Sequence, residues 1–501
     1  MWSKQLALTL ALPFATASPA LRSLQTRDSA SPQSCTQACS TLETQFPGRL
    51  HYKANDSNFV IWDQKQLQTA YVCRVQPSSS EEVSSVLKVL LENWCRFSVK
   101  GGGHSRSVDD AVSNGGVTID LNLLNGTTIA DDKASARILG GTLTRDAYTD
   151  LDKEGLAYVG GRLGQIGIGG FLLGGGTSVS SSKYGWGLDN VLEYEVVLPN
   201  ATITTVTETS NPDMFFALRG GGNNFGIVTA FTVNTFPLGQ VYVGSRTFSD
   251  AALDAYFVEA ENIFTLQDGA DTNIVMESRY LYDKASNSYT MGNTQRYLEP
   301  VMSPPVFDTL NAIPGTIGNL TGGLNTLAAS VAFSRPLGVS RNSFTTLANY
   351  PSPALWKKAT EIFKELYGGL PNTTTINPNL ITYSIPAGAI EKMKTKGGNA
   401  LGIDVDGHLV MNLFSVTWTD AAEDETAANL AETYYKLWKQ AAIDLEVFHP
   451  FVYLNYADTP QDPFTSYGEE NKQRLMSIQQ AIDPQGAFRS SGLWTGYRKL
   501  L

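Results

Sequence analysis

One of only four histidines in this chain, His104, follows directly on three consecutive glycines, Gly101, Gly102 and Gly103, in the run Val99-Lys-Gly-Gly-Gly-His-Ser-Arg-Ser107. Glycines tolerate positive φ and lack a Cβ, so their N–H groups can fold into a concavity that holds an anion such as a pyrophosphate. An imidazole at the lip of that concavity is a nitrogen nucleophile beside whatever the phosphates anchor. Alone, the run could equally be a tight turn with a surface histidine. It does not stand alone. A second glycine concentration covers 160–176, with Gly164, Ile166, Gly167, Gly169 and Gly170 at its centre, and a third is Gly220-Gly-Gly-Asn-Asn-Phe-Gly226. Glycine weakens helix and strand alike, so what such stretches offer is backbone able to approach a flat or charged ligand. Three of them point to one large cofactor lined by backbone amides.

The elements around these runs predict an α+β chain. Residues 70–75 read as a strand and 79–91 as a helix, with Val83, Val86, Leu87 and Leu90 at helical spacing and Ser79 three before Glu82 as a capping box. Strands follow at 96–100 and 116–120, and another at 228–233. From 241 to 450 glycine thins out, and helices are expected at 250–264, 353–366 and 420–442. The second has Ser352 as N-cap and Pro353 at the first helical position. Strands at 272–282, 380–385 and 408–417 predict an antiparallel sheet covering a substrate. Residues 451–458 are aromatic and extended, and a helix follows at 471–482. The expected division is 1–17 signal peptide, 18–65 a turn-rich strap bearing disulfides, 66–240 the cofactor domain, 241–450 the substrate domain and 451–501 a C-terminal segment.

Composition narrows the partners. With 37 Lys+Arg against 48 Asp+Glu the net charge is −11, which disfavours nucleic acid. No later stretch is long and apolar enough to span a membrane. Lys4, the apolar run 6–15 and Ala15-Thr-Ala17 form a secretory leader with cleavage before Ser18. Cys35, Cys39, Cys73 and Cys95 are an even set compatible with two disulfides, in any of three pairings. They lack a second close Cys or His pair, so no metal is expected. Sequons at Asn55, Asn125, Asn200, Asn319 and Asn372 are available for glycosylation.

Nucleotide signatures fail. Counting a G-x-G-x-x-G from Gly101, Gly167 or Gly220 ends on Arg106, Leu172 or Phe225, and no Gly-Lys-Ser/Thr occurs. What remains is an ordered set: Val99 to Ser105; Gly164-Gln-Ile-Gly-Ile-Gly-Gly170 with Gly174-Gly-Gly176; Lys183-Tyr-Gly-Trp-Gly-Leu-Asp-Asn190; Asn211 to Thr229; and Tyr453-Leu-Asn-Tyr456. In this set the chain resembles the fungal berberine bridge enzyme-like FAD-linked oxidases of the vanillyl-alcohol oxidase group. The resemblance covers most of 66–240 and the last fifty residues.

The resemblance implies a two-part PCMH-type FAD-binding domain, an α+β substrate domain and a C-terminal segment returning to the FAD domain. It implies FAD bonded through His104 to the flavin 8α-methyl, with Gly101–Gly103 facing the pyrophosphate and residues 164–170 the flavin edge. Ser105, Asn190 and Val228 would add polar or backbone contacts. Many relatives make a second flavin bond from a cysteine where this chain has Leu163, so a single bond is expected. Tyr453 is by resemblance the catalytic base and Asn455 a contact to flavin or substrate; on a strand both would share one face. A tyrosine base needs its pKa lowered from about 10. The expected reaction is oxidation of a small organic molecule by a secreted enzyme, with O₂ accepting the electrons and H₂O₂ released. Secondary-metabolite substrates are frequent among fungal relatives. A carbohydrate oxidase, a flavin-containing non-redox cyclase and a cofactor-free secreted binding protein are the alternatives. Oligomeric state is not legible.

Acid precipitation should therefore leave the yellow colour with the protein, and mass spectrometry should find one flavin–protein bond, at His104. Release of all FAD into the supernatant, or a peptide crosslinked at two positions, contradicts that expectation.

Overall fold

The computed structural model describes residues 32–266, 271–332, 335–405, 407–489 and 492–500; the leader expected over 1–17 lies outside them. The strap expected at 18–65 contains a helix, Pro32–Gln45. Cys35, Ala38, Cys39 and Leu42 recur at i, i+3, i+4 and i+7 and are all buried, an apolar stripe the polar residues between them had masked. Disulfides Cys35–Cys95 and Cys39–Cys73 tie that stripe to the first sheet.

That sheet runs Leu50–His51, Cys73–Val75, Val117–Asp120, Phe97–Lys100 in spatial order. Its three longer strands are parallel, with Cys73 opposite Val117 and Lys100 opposite Asp120. The helix Ser80–Glu92 crosses between them. Ser79 caps it by accepting the Glu82 N–H, but the Glu82 carboxylate turns to the Ser78 N–H and to Arg49, so only half of the expected capping box forms. The C-terminal segment returns to this sheet: Phe97 N donates to Leu493 O at 2.7 Å and Thr495 N to Phe97 O at 2.8 Å. Below the glycine turn, a buried ion network joins the strand ends. Lys100 Nζ lies 3.0 Å from Asp120, Arg74 2.8 Å from the same carboxylate, and Arg74 forks onto Asp56 at 2.6 and 2.7 Å.

A second, antiparallel sheet follows in the order Thr127–Ile129, Ser135–Leu139, Ile227–Asn234, Val191–Val197, Ile203–Thr207. Between these strands the second glycine run is not featureless: Ile168–Leu173 is a short helix. Ile168, Leu172 and Leu173 bury their side chains there, and that burial outweighs the glycines' poor propensity. At its head Gly167 meets Gly102 backbone to backbone. A methyl group on either would overlap the other's main chain.

The third sheet has eight antiparallel strands in the order Thr316–Asn325, Val241–Ser249, Ser288–Tyr297, Ile274–Asp283, Asn377–Ile385, Leu409–Trp418, Arg341–Asn349, Phe448–His449. Its alternation serves two different faces. Ile274, Met276, Tyr280, Leu380, Val410 and Phe414 pack under the helices Leu253–Leu266, Pro353–Tyr367 and Asp424–Asp444. The other face carries Glu277, Arg279, Ile381 and Leu413, which line a cavity between this sheet and the two glycine runs. Ser352 caps the middle helix through Leu355 N, as its sequence predicts.

Gly102→Ala tests the contact that closes the cavity floor. Neither neighbour is a side chain that can rotate away, so a cost on the order of 1–3 kcal/mol is expected. Melting temperature and flavin content per chain should both fall. An unchanged value of each would mean that the two loops separate freely.

Candidate functional site

The cavity holds about 300 Å³ and is lined by Gly101, Gly102, Gly103, His104, Ser105, Ile166, Gly167, Gly170 and Val228 from the expected set, with Tyr453 and Asn455 from the C-terminal segment. Gly164, Gly169 and Asn190 do not line it. The Gly164 N–H donates to Val331 O and its carbonyl accepts from Arg145, so it anchors the run from behind. Asn190 spends its amide on the carbonyls of Tyr184 and Trp186, both at 2.9 Å. Its side chain thus serves the turn at Gly185–Gly187.

His104 stacks on Trp62, with ring centroids 4.2 Å apart and planes 18° from parallel. Burial, then Arg106 and Arg335, push its pKa down to about 3, so the imidazole is neutral at ordinary pH. Its buried Nδ1 has no hydrogen-bond partner. A neutral imidazole with an unpartnered Nδ1, at the wall of a glycine-lined cavity, fits a covalent attachment point. The glycine surface itself forms a cradle that any side chain would fill. The residues present thus fit FAD. Leu163, 39% exposed, lines the same wall where a second thiol would stand. Ser105 turns its hydroxyl onto Asp110.

The segment around Tyr453 is not a strand. Leu454–Tyr456 is a single 3₁₀ turn with Tyr453 before it. The aromatic alternation is overridden because Arg106 draws the carbonyls of Asn455 and Ala457 inward. Tyr453 and Asn455 still meet, the Asn455 amide donating to the phenol oxygen at 3.0 Å. That oxygen also accepts the N–H groups of Gly176 at 2.9 Å and Thr177 at 3.4 Å. Tyr453 is only 1% exposed, and burial, then Tyr456, raise its pKa above the ordinary phenol value. The lowering expected for a base is absent; three donors do not offset removal from water.

Tyr456, quoted in the motif but not singled out, is half-buried on the cavity wall. Its hydroxyl accepts from Arg162 Nη2 at 2.8 Å, while Nη1 of the same guanidinium reaches Glu277 at 2.8 Å. Arg162 also lies 3.8 Å over the Tyr383 ring. Glu277 takes a second guanidinium, Arg279, at 2.6 Å. Burial opposes its ionisation, yet Arg162, Arg279 and Arg296 hold its carboxyl down to about 2. Sequence reasoning missed this cluster. Its signal was there: Glu277 and Arg279 sit two apart in an expected strand otherwise rich in apolar residues, so both charges must share a face.

A parallel-stranded nucleotide-binding sheet, a glycine cradle with its histidine and a roofing antiparallel sheet define a flavin-dependent oxidoreductase. An FAD binding domain model matches residues 72–207. The chain is 32% identical over 482 residues to the FAD-dependent monooxygenase tpcD of Cochliobolus heterostrophus, covering 91% of this chain and 92% of the relative. It is 30% identical to the bifunctional solanapyrone synthase of Alternaria solani, over 83% and 79% of the two chains. Among solved structures, 6-hydroxy-D-nicotine oxidase from Arthrobacter nicotinovorans superposes with a TM-score of 0.74 at 21% identity, over 90% of this chain and 98% of that one. Berberine bridge enzyme superposes with a TM-score of 0.71 at 16% identity, over 92% and 100%. The chain belongs to the berberine bridge enzyme-like FAD-linked oxidoreductases, and FAD is its cofactor.

Glu277→Gln should destabilise the protein by about 3–5 kcal/mol, because it leaves buried guanidiniums without their carboxylate. The folded carboxyl titrates near 2 against an ordinary 4.5, so the stabilisation is complete above about 4.5 and lost as pH falls through about 2. The melting-temperature gap between wild type and variant should therefore be full at pH 7 and narrow at pH 3. A gap independent of pH would rule out an ionic origin.

Proposed function

We propose that the protein follows the secretory route and takes two electrons from a small organic molecule bound beneath the eight-stranded sheet. O₂ is the electron acceptor and H₂O₂ the product, with FAD held by one bond through His104. The observation that carries this reading is the neutral His104 ring, its Nδ1 unpartnered, on the wall of the cavity the glycines line. The two disulfides and the exposure of all five sequon asparagines support the secretory route.

What bound FAD supplies is a two-electron acceptor for hydride from a substrate carbon, reoxidised by O₂. The chain's own groups do the rest. Trp62 fixes the plane of the His104 ring, and Leu163 offers no sulfur for a second bond. A substrate losing hydride must also release a proton, and a phenol oxygen on the cavity wall is the group to take it. Tyr456 serves better than Tyr453. The Tyr453 oxygen is filled by three N–H donors, whereas Tyr456, on the cavity wall, has the Arg162 guanidinium aimed at its hydroxyl. A fixed cation there stabilises negative charge on the oxygen that receives the proton. Tyr453 and Asn455 then hold the turn carrying Tyr456, with the Tyr453 and Tyr456 rings 4.8 Å apart, edge to face.

Several relatives carry the name FAD-dependent monooxygenase, which favours a second outcome, retention of an oxygen atom from O₂ in the product. Turnover under ¹⁸O₂ separates the two: label in peroxide alone marks an oxidase, label in product a monooxygenase.

Once a substrate is in hand, Tyr456→Phe should slow anaerobic bleaching of the flavin band by roughly 10²–10⁴-fold while leaving FAD bound. Tyr453→Phe should chiefly lower the melting temperature. The reverse pattern would return the proton-accepting role to Tyr453.

A further inference from the structure

The corner of the cavity between the sheet and residues 162–165 carries more positive charge than it can neutralise. Register puts Val275 opposite Arg296 and Arg279 opposite Gly292, so Arg296, Glu277 and Arg279 occupy one face of neighbouring strands. Arg162 rises to that face from below, and Arg335 enters from the loop beyond Leu327–Ser330. Gln165 grips the Arg335 backbone from both sides, accepting its N–H at 2.9 Å and donating to its carbonyl at 2.8 Å. Three guanidiniums, Arg162, Arg279 and Arg296, thus surround one carboxylate, Glu277, and Arg335 stands near Arg279, in a chain whose net charge is −11. Both Glu277 oxygens are already used, one by Arg162 and one by Arg279.

Arg296, 8% exposed, keeps Nε and Nη1 buried without a hydrogen-bond partner. Among the described residues no carboxylate pairs with the Arg335 guanidinium. Asp110, the other carboxyl on the cavity wall, is occupied by Ser105 and by the Ser107 N–H. Arg106, the remaining guanidinium on the wall, is spent on the carbonyls of Asn455 and Ala457 and on the Tyr497 hydroxyl. Like charges gathered in a low-dielectric pocket repel strongly unless an anion completes the set.

We infer that this corner is an anion subsite, in which Arg279 and Arg335 receive a carboxylate or acidic enolate of the substrate while Glu277 and Arg162 form the fixed frame. This rests on the oxidoreductase reading above and adds the substrate's charge class. Guanidinium forks match planar oxygen pairs. An anion held there sits beside Tyr456, whose hydroxyl shares Arg162 with the frame, so binding and proton transfer would occur at one corner. The same anionic oxygen chemistry is present in the phosphates of the cofactor, and the test separates the two sources.

Purified holoenzyme is titrated with benzoate and with its neutral isostere benzamide, following the visible flavin spectrum. Benzoate should give a saturable change at concentrations where benzamide gives none. Arg335→Gln, whose side chain is exposed and leaves the core untouched, should keep its FAD and weaken benzoate roughly 10-fold or more, the usual worth of a charged hydrogen bond. Arg335→Lys should fall between. Equal responses to the two probes, or an unchanged benzoate affinity in Arg335→Gln, overturn the inference. Loss of FAD from Arg335→Gln with benzoate binding intact by calorimetry also overturns it, and assigns the cluster to the cofactor's phosphates. A flavin-free preparation would sink the oxidoreductase reading alone; the same two probes, followed by calorimetry, would still decide whether the corner binds anions.

Discussion

The contact between Gly102 and Gly167 is the constraint from which the site follows. Two chain segments 65 positions apart touch main chain to main chain, an approach only residues without a Cβ allow. It brings the His104 turn and the Leu163–Gly170 wall to opposite sides of one cavity. What keeps the first of these loops in place is electrostatic. Lys100, at the last strand position before the turn, is locked to Asp120, which is locked to Arg74 and through it to Asp56. Each charge in the buried chain has an opposite neighbour, so the strand ends beneath the glycines are rigid. The turn above can then be all glycine and still present His104 in one orientation, with Trp62 flat against its ring.

Above that floor the eight-stranded sheet works as a roof with two unlike faces. One face is buried under three amphipathic helices and carries the aromatic core. The other carries the charges and phenols that face the cavity. Period-two alternation makes this division automatic once the strands pair, and a one-residue slip would bury Arg279 under the helices. Register in the third sheet is therefore a functional quantity. It decides that Glu277, Arg279 and Arg296 share a face, and so decides where the cavity is charged.

The C-terminal segment joins floor to roof. Its last residues extend the first sheet at Phe97, while Tyr453–Tyr456 lies against the cavity. Arg106, two residues after His104, donates to the carbonyls of Asn455 and Ala457 and to the Tyr497 hydroxyl. The cofactor-side loop and the phenol-bearing turn are thus coupled through one buried guanidinium.

Local chemistry made much of this legible in the sequence. Glycine runs, caps and periodicities are short-range, so the His104 turn, the helix after Ser79, the helix after Ser352 and the α+β order could be read from neighbouring residues. The resemblance of five ordered motifs carried the cofactor. Three things could not be read this way. The helix Pro32–Gln45 is amphipathic only when its cysteines count as apolar, and the sheet they bond to decides that. The turn at Leu454–Tyr456 replaces an apparent strand because Arg106, some 350 positions earlier, takes its carbonyls. The charged corner joins Arg162, Glu277, Arg296 and Arg335 from four separate parts of the chain. Composition shows only a net negative protein, and long-range pairing places a concentrated positive charge inside it. A carboxylate's pKa, a phenol's hydrogen-bond partners and a guanidinium's missing counter-ion depend on groups distant in sequence, so only the tertiary structure decided them.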